Sequence, residues 1–168
     1  MRLAEWAWKL VCGIPHKVIG GELRPYMKRW YLIPRNRWLN VYLHQFLRDD
    51  DDRALHDHPW WFMSFMLWGR YREHFEKPIH SELLAGGAQW ISSQECSIER
   101  RAPSFAFRRA AHRHRVELMK RDGMAVPCWT IVITGRRVRE WGFWCPQGFV
   151  HWQQFTSADG NEVGRGCD

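Results

Sequence analysis

The chain has 168 residues, a length that suits one domain with a real core rather than two. Lys and Arg outnumber Asp and Glu by 25 to 18, and the formal charge of +7 favours anionic ligands, with no alternation of basic and aromatic residues that would mark a nucleic-acid module, while 12 Trp and 9 Phe supply flat, bulky apolar material for strands and pocket walls. No stretch reaches the ~18 consecutive apolar residues of a membrane span, and five widely spaced cysteines without a C-x-x-C pair argue against a disulfide framework or zinc ribbon and for a reducing, cytoplasmic setting.

From the N-terminus, Leu3, Trp6, Ala7, Leu10, Val11 and Ile14 recur at helical spacing while Arg2, Glu5 and Lys9 share the opposite face, which predicts a short amphipathic helix over 2–14. Glu5 and Lys9 make a favourable i,i+4 pair, and Gly13 with Pro15 supplies the stop. The same two charges interrupt the apolar run that a secretory leader needs. The helix carries no excess of basic residues, so its Trp-bearing stripe is expected on the outside of the domain rather than on a membrane.

Beyond Pro25 the pattern changes to short aromatic and β-branched runs separated by Pro, Gly, Asn and Asp, the signature of an antiparallel β protein. Strands are expected over 27–33, 38–48, 55–58, 62–68 continuing through 71–75, and then 89–92, 105–109, 112–119, 129–134 and 139–144. Pro34, Arg35 and Asn36 read as a turn, the acidic run 49–52 as a solvated loop, and 84–88 with its Gly86-Gly87 pair as another loop. The domain plan is therefore a helix and lead-in over 1–24, a barrel over 25–156, and a polar, Gly-rich flexible tail over 157–168. Short strands at this even spacing imply an all-β closed barrel or jelly roll.

The residues with chemistry are histidines. In Leu55-His56-Asp57-His58-Pro59, a strand would set both imidazoles on one face and Asp57 on the other, forming a chelating pair. A second cluster, His112-Arg113-His114-Arg115-Val116-Glu117, lies in a later strand that a barrel can bring opposite the first. His112 and His114 share one parity, so spacing alone leaves either as the third ligand.

The run from His56 through Leu67-Trp68-Gly69-Arg70-Tyr71 resembles the first motif of the cupin superfamily, in which an H-x-H pair precedes a strand and a Gly-centred turn. The His114-Arg115-Val116-Glu117 string is similar to the second motif of the three-histidine thiol dioxygenase branch, typified by cysteine dioxygenase. The resemblance spans roughly His56 to Phe143. It implies a double-stranded β-helix barrel and a divalent metal on His56, His58 and His114, with His112 as the alternative ligand. Phe62 and Met63 stand where many cupins carry a glutamate ligand, so the implied site has three histidines and no carboxylate. Met63 also replaces the cysteine that animal thiol dioxygenases cross-link to tyrosine, and Pro127-Cys128-Trp129-Thr130-Ile131-Val132-Ile133-Thr134 contains no Tyr, Ser or His to complete that branch's auxiliary set.

Three neutral imidazoles leave a dication uncompensated, so open coordination positions should attract an anionic group, or dioxygen if the metal is ferrous iron. The expected cofactor is one divalent metal, Fe(II) before Zn, Mn, Ni or Co, and the expected partner is a small anionic ligand. His44 and Tyr42 share one face of their strand and are candidate pocket residues, joined by Arg108 for an anionic group and by Tyr71 at the mouth. The aromatic C-terminal region, Trp141-Gly142-Phe143-Trp144 and Phe149 to Trp152, reads as core or as a homodimer surface. Two function classes follow: a metal-dependent enzyme, with an Fe(II) oxygenase first, or a non-catalytic metal-containing module that binds a small molecule or nucleic acid.

Overall fold

The computed structural model describes residues 1–50, 54–83, 89–156 and 166–167. The expected loop over 84–88, the acidic residues 51–52 and most of the expected tail lie outside these.

The chain opens with α1 (Leu3–Val11), in which Glu5 and Lys9 pair at 3.5 Å as their spacing requires. Among the described residues fourteen strands follow, beginning with β1 (Lys17–Ile19), β2 (Met27–Tyr31), β3 (Asn40–Phe46), β4 (Leu55–His56) and β5 (Phe62–Trp68). After these come β6 (Arg70–Leu83), β7 (Gln89–Arg101), β8 (Ser104–Arg108), β9 (His114–Leu118), β10 (Lys120–Arg121) and β11 (Met124–Ala125). The chain closes with β12 (Cys128–Thr134), β13 (Gly142–Cys145), β14 (Gly148–His151) and a single turn of helix, α2 (Trp152–Phe155).

These strands build two six-stranded antiparallel sheets, β1-β2-β3-β12-β5-β8 and β14-β13-β4-β9-β6-β7, with β10 and β11 as a separate hairpin. From β3 onward the chain passes repeatedly from one sheet to the other and back. Two antiparallel sheets wound together in this way form a jelly-roll barrel, the double-stranded β-helix of the cupins.

Alternation sets the inner wall. On β3, Asn40, Tyr42 and His44 are buried while Val41 and Leu43 are less so, and on β9 His114, Val116 and Leu118 point inward between Arg115 and Glu117. One end of the barrel is closed by Met66, Tyr71, Val116, Leu118 and Cys128. Gly69, at φ +88° between β5 and β6, makes that corner: a Cβ there would lie 2.8 Å from Cys128 Cβ.

Several expectations are corrected. α1 packs on β2, where Trp6 Nε1 donates to the Tyr31 carbonyl at 2.7 Å. Asp49 and Asp50 are not simply solvated, because their carboxylates accept the backbone N–H groups of Leu118 and Val116 at 2.7 Å each and so continue the β9 edge. Strands β6 and β7 extend much further than the short runs expected from the pattern, and β14 and α2 carry no sequence signal of their own. The cysteines are not all free: Cys145 and Cys167 form a disulfide that returns the C-terminal segment to the barrel, beside buried Phe155.

Candidate metal centre

His56 is the last residue of the two-residue strand β4, which lies between β13 and β9, and its register partner on β9 is His114. Adjacent positions on neighbouring antiparallel strands put two imidazoles on one inner face, with ring centroids 5.0 Å apart. His58 stands beyond the end of β4, so its placement does not come from the strand alternation expected of an H-x-H pair. Asp57 fixes it instead. This carboxylate is 1% exposed and accepts from Arg139 Nη1 at 2.6 Å, Gly142 N at 3.0 Å and Trp144 Nε1 at 3.2 Å, which turns Asp57 away from the interior and both flanking histidines towards it.

The result is a cluster in which His56, His58 and His114 each offer a ring nitrogen, all within 4.8 Å of one another. His58 Nε2 and His114 Nε2 are 2.9 Å apart. That is about the separation of two neighbouring ligands around a metal with bonds of about 2.1 Å at right angles. Burial pushes the His56 imidazole down to about 4, despite the opposing pull of Asp50, and burial, followed by the charges of His56, His114 and Arg29, holds His58 well below the ordinary histidine range. Neutral imidazole is the form that ligates. The donor set and its protonation therefore fit a divalent transition metal.

No carboxylate enters this set. Phe62, at a position where many cupins carry a glutamate ligand, packs its ring on His58 and His114 with centroids 4.7 and 5.5 Å away. Trp141 stacks parallel to the His58 ring, with centroids 6.4 Å apart.

His112 belongs to a neighbouring cluster. It precedes β9, and its Nε2 lies 3.4 Å from Oε1 of Glu73, a β6 residue whose side chain is 3% exposed. The same oxygen lies 3.2 Å from His114 Nδ1. Arg108 contacts both Glu73 oxygens, at 2.9 and 2.5 Å, and Arg100 donates to Oε2 at 3.0 Å. Burial alone would raise the Glu73 carboxyl, but its close contacts with His112, His114 and Arg108 hold it well below the usual range. Glu73, His112 and His114 also have ligand-like spacing. Two guanidinium groups already neutralise that carboxylate, so a cation there would compete with both.

The remaining candidates separate. Tyr42 and His44 face the interior and stack at 5.7 Å. His44 Nε2 accepts from Arg29 Nε at 2.8 Å, and burial followed by the Arg29 charge keeps this imidazole well below its ordinary range. Arg108 is committed to Glu73. Tyr71 sits in the apolar end cluster, where burial and then Glu73 raise its phenol.

Sequence reasoning missed Arg29. It is half-buried on β2 opposite His44, with its guanidinium 4.9 Å from the Tyr42 ring centroid. No carboxylate lies within ion-pair distance of it among the described residues, and burial lowers its pKa. Its parity, shared with Met27 and Tyr31, was the available signal.

No family model matches the chain, and no curated protein matches it in sequence. Among solved structures it is similar to an uncharacterized conserved protein with a double-stranded β-helix domain from Klebsiella pneumoniae, at 11% identity and TM-score 0.44, over 70% of this chain and 83% of that one. It is similar to HppE in its iron(II) form, at 16% identity and TM-score 0.45, over 70% of this chain and 55% of that one. For a point mutant of Bacillus subtilis oxalate decarboxylase OxdC the values are 15% and 0.46, over 76% of this chain and 30% of that one. No residue role is carried over from these proteins. Fold and site together define a cupin-type double-stranded β-helix with a candidate three-histidine metal centre.

Proposed function

We propose that this barrel is a metal-dependent enzyme acting on a small anionic molecule, with Fe(II) as the working metal and an oxygenase-type reaction as the first activity to test. The observation that carries the reading is the conjunction of three convergent imidazoles with a half-buried guanidinium that has no acid partner among the described residues. His56, His58 and His114 would hold the metal, which supplies Lewis-acid polarisation and, as ferrous iron, a site for dioxygen.

The chain's own residues do the rest. Arg29 offers the charge complement for a carboxylate or similar oxyanion, and it lies close enough to the histidines to depress His58 electrostatically. Its Nε is held by His44 and its ring-facing surface by Tyr42, which leaves the outer guanidinium nitrogens for a ligand. Phe62 and Trp141 wall the histidine rings and exclude water from them. The net charge of +7 assists approach of an anion.

A second reading, a metal-containing module that binds its anion without turning it over, is favoured by one observation: the nearby acid-base groups are engaged. Glu73 is ion-paired, His44 is an acceptor for Arg29, and Tyr71 is buried in the apolar cluster. Dioxygen uptake by the iron-loaded protein, measured against a panel of small carboxylates and thiols, separates the two. Uptake that depends on one of these compounds and disappears in Arg29→Leu supports the enzyme. Binding of the compound by calorimetry without uptake supports the module.

A further inference from the structure

The tautomers of the histidine cluster follow from the positions of its acceptors. His114 Nδ1 is buried, has no regular hydrogen-bond partner, and lies 3.2 Å from Glu73 Oε1. A bare nitrogen lone pair facing a carboxylate oxygen at that distance would be repelled, so the proton of this imidazole must sit on Nδ1. His112 Nε2, also buried and without a regular partner, faces the same oxygen at 3.4 Å and is protonated for the same reason. His56 Nδ1 is 3.8 Å from Asp50 Oδ2, an oxygen already anchored by Val116 N at 2.7 Å.

We infer that Glu73 is a positioning residue for the metal centre: clamped by Arg100 and Arg108, its carboxylate fixes the proton of His114 on Nδ1 and so presents the Nε2 lone pair to the metal site. This inference rests on the three-histidine reading, and it extends to which residue must give way on metal binding. With His114 Nε2 unprotonated, the 2.9 Å contact between the two Nε2 atoms requires the proton on His58 Nε2 in the metal-free protein. His58 is therefore the ring whose proton must move from Nε2 to Nδ1 when a cation enters, while His114 is already in its ligating form. Carboxylates that orient ligating histidines in this way contribute roughly 10- to 100-fold in metal affinity.

The test uses the full chain labelled with ¹⁵N-histidine, and long-range ¹H–¹⁵N spectra recorded without metal and with Zn(II), alongside Co(II) affinities from competition with a chelating dye. Expected are a protonated Nδ1 on His114 in both states, a proton on His58 Nε2 only without metal, and a Co(II) dissociation constant raised about 10- to 100-fold in Glu73→Gln. Glu76→Gln neutralises another carboxylate of β6, one that pairs with Arg113 at 2.6 Å, so it should shift melting temperature while leaving affinity within about threefold of wild type, below the range expected for a lost positioning group. If Glu73→Gln does not fold, the double variant Glu73→Gln/Arg108→Gln, which replaces the charged pair by a neutral one, is measured instead. A wild-type His114 carrying its proton on Nε2 overturns the inference, as does equal affinity loss in Glu73→Gln and Glu76→Gln. A wild type that binds neither Zn(II) nor Co(II), yet keeps the His114 Nδ1 proton dependent on Glu73, overturns the metal reading and leaves the tautomer assignment standing.

Discussion

The guanidinium of Arg139 donates to the carboxylate of Asp57 at 2.6 Å, joining the H-x-H segment to the stretch before β13 across 82 positions of sequence. Asp57 also takes the Gly142 N–H and the Trp144 indole N–H, so one buried side chain holds both flanking histidines in register with the sheet. Removing it leaves three donors without their acceptor. Asp57→Ala is expected to cost about 3 kcal/mol of stability, in the range for breaking one partner of a buried pair, and to lower metal affinity as His56 and His58 loosen. Urea unfolding and a Co(II) titration check the two effects.

The ring of Phe62 occupies the space beside His58 and His114 that a fourth protein ligand would use. Phe62→Glu should bring a carboxylate into the coordination sphere, keep or tighten metal binding, and weaken azide binding to the Co(II) form by at least about tenfold, since an anionic ligand cancels part of the charge that attracts the anion. The azide-dependent change in the Co(II) absorption spectrum reads this out.

Acid sensitivity of the metal-free protein follows from the buried imidazoles. His56 has a folded-state value of about 4 against an ordinary 6.5, so between those values the unfolded chain binds more protons than the folded one. Stability from this group is fully present above pH 6.5 and is lost as pH falls towards 4. The loss approaches about 3 kcal/mol for His56 alone, and His58 and His44 shift in the same direction. Chelated protein unfolded in urea at about pH 7, 5.5 and 4.5, spanning that window, should show falling stability, with a shallower fall in His56→Phe.

Thiol reactivity should sort by burial. Cys12 is exposed, whereas Cys128 is fully buried in the apolar end cluster and burial pushes its thiol up to about 12. Alkylation of native protein at about pH 8, followed by peptide mass mapping, should modify Cys12 and spare Cys128 until the chain is unfolded.

Much of the architecture was legible because strand alternation is a direct imprint of a two-faced sheet: Asn40, Tyr42, His44 and Phe46 could be assigned one side of β3 from parity alone. The histidine cluster was legible through motif spacing, although the reason for it was not. Asp57 as a three-donor anchor depends on Arg139, Gly142 and Trp144, which are remote in sequence, and no local pattern announces such a contact. Arg29 escaped for the opposite reason. A cation in a strand otherwise made of Met27, Lys28, Trp30 and Tyr31 reads as a solvated position, and only the barrel's closure turns it inward. The Cys145–Cys167 bond was hidden because pairing cannot be read from spacing when the count is odd.

If His56, His58 and His114 bind one divalent metal inside the barrel, elemental analysis of protein purified without a histidine tag should find close to one transition metal per chain, or stoichiometric uptake of added Fe(II) under anaerobic conditions. The metal should be lost in His56→Ala and in His114→Ala while both variants keep their β-sheet circular dichroism. A folded wild type that neither contains nor takes up metal, or a His114→Ala variant that holds it as tightly as wild type, would contradict a three-histidine centre.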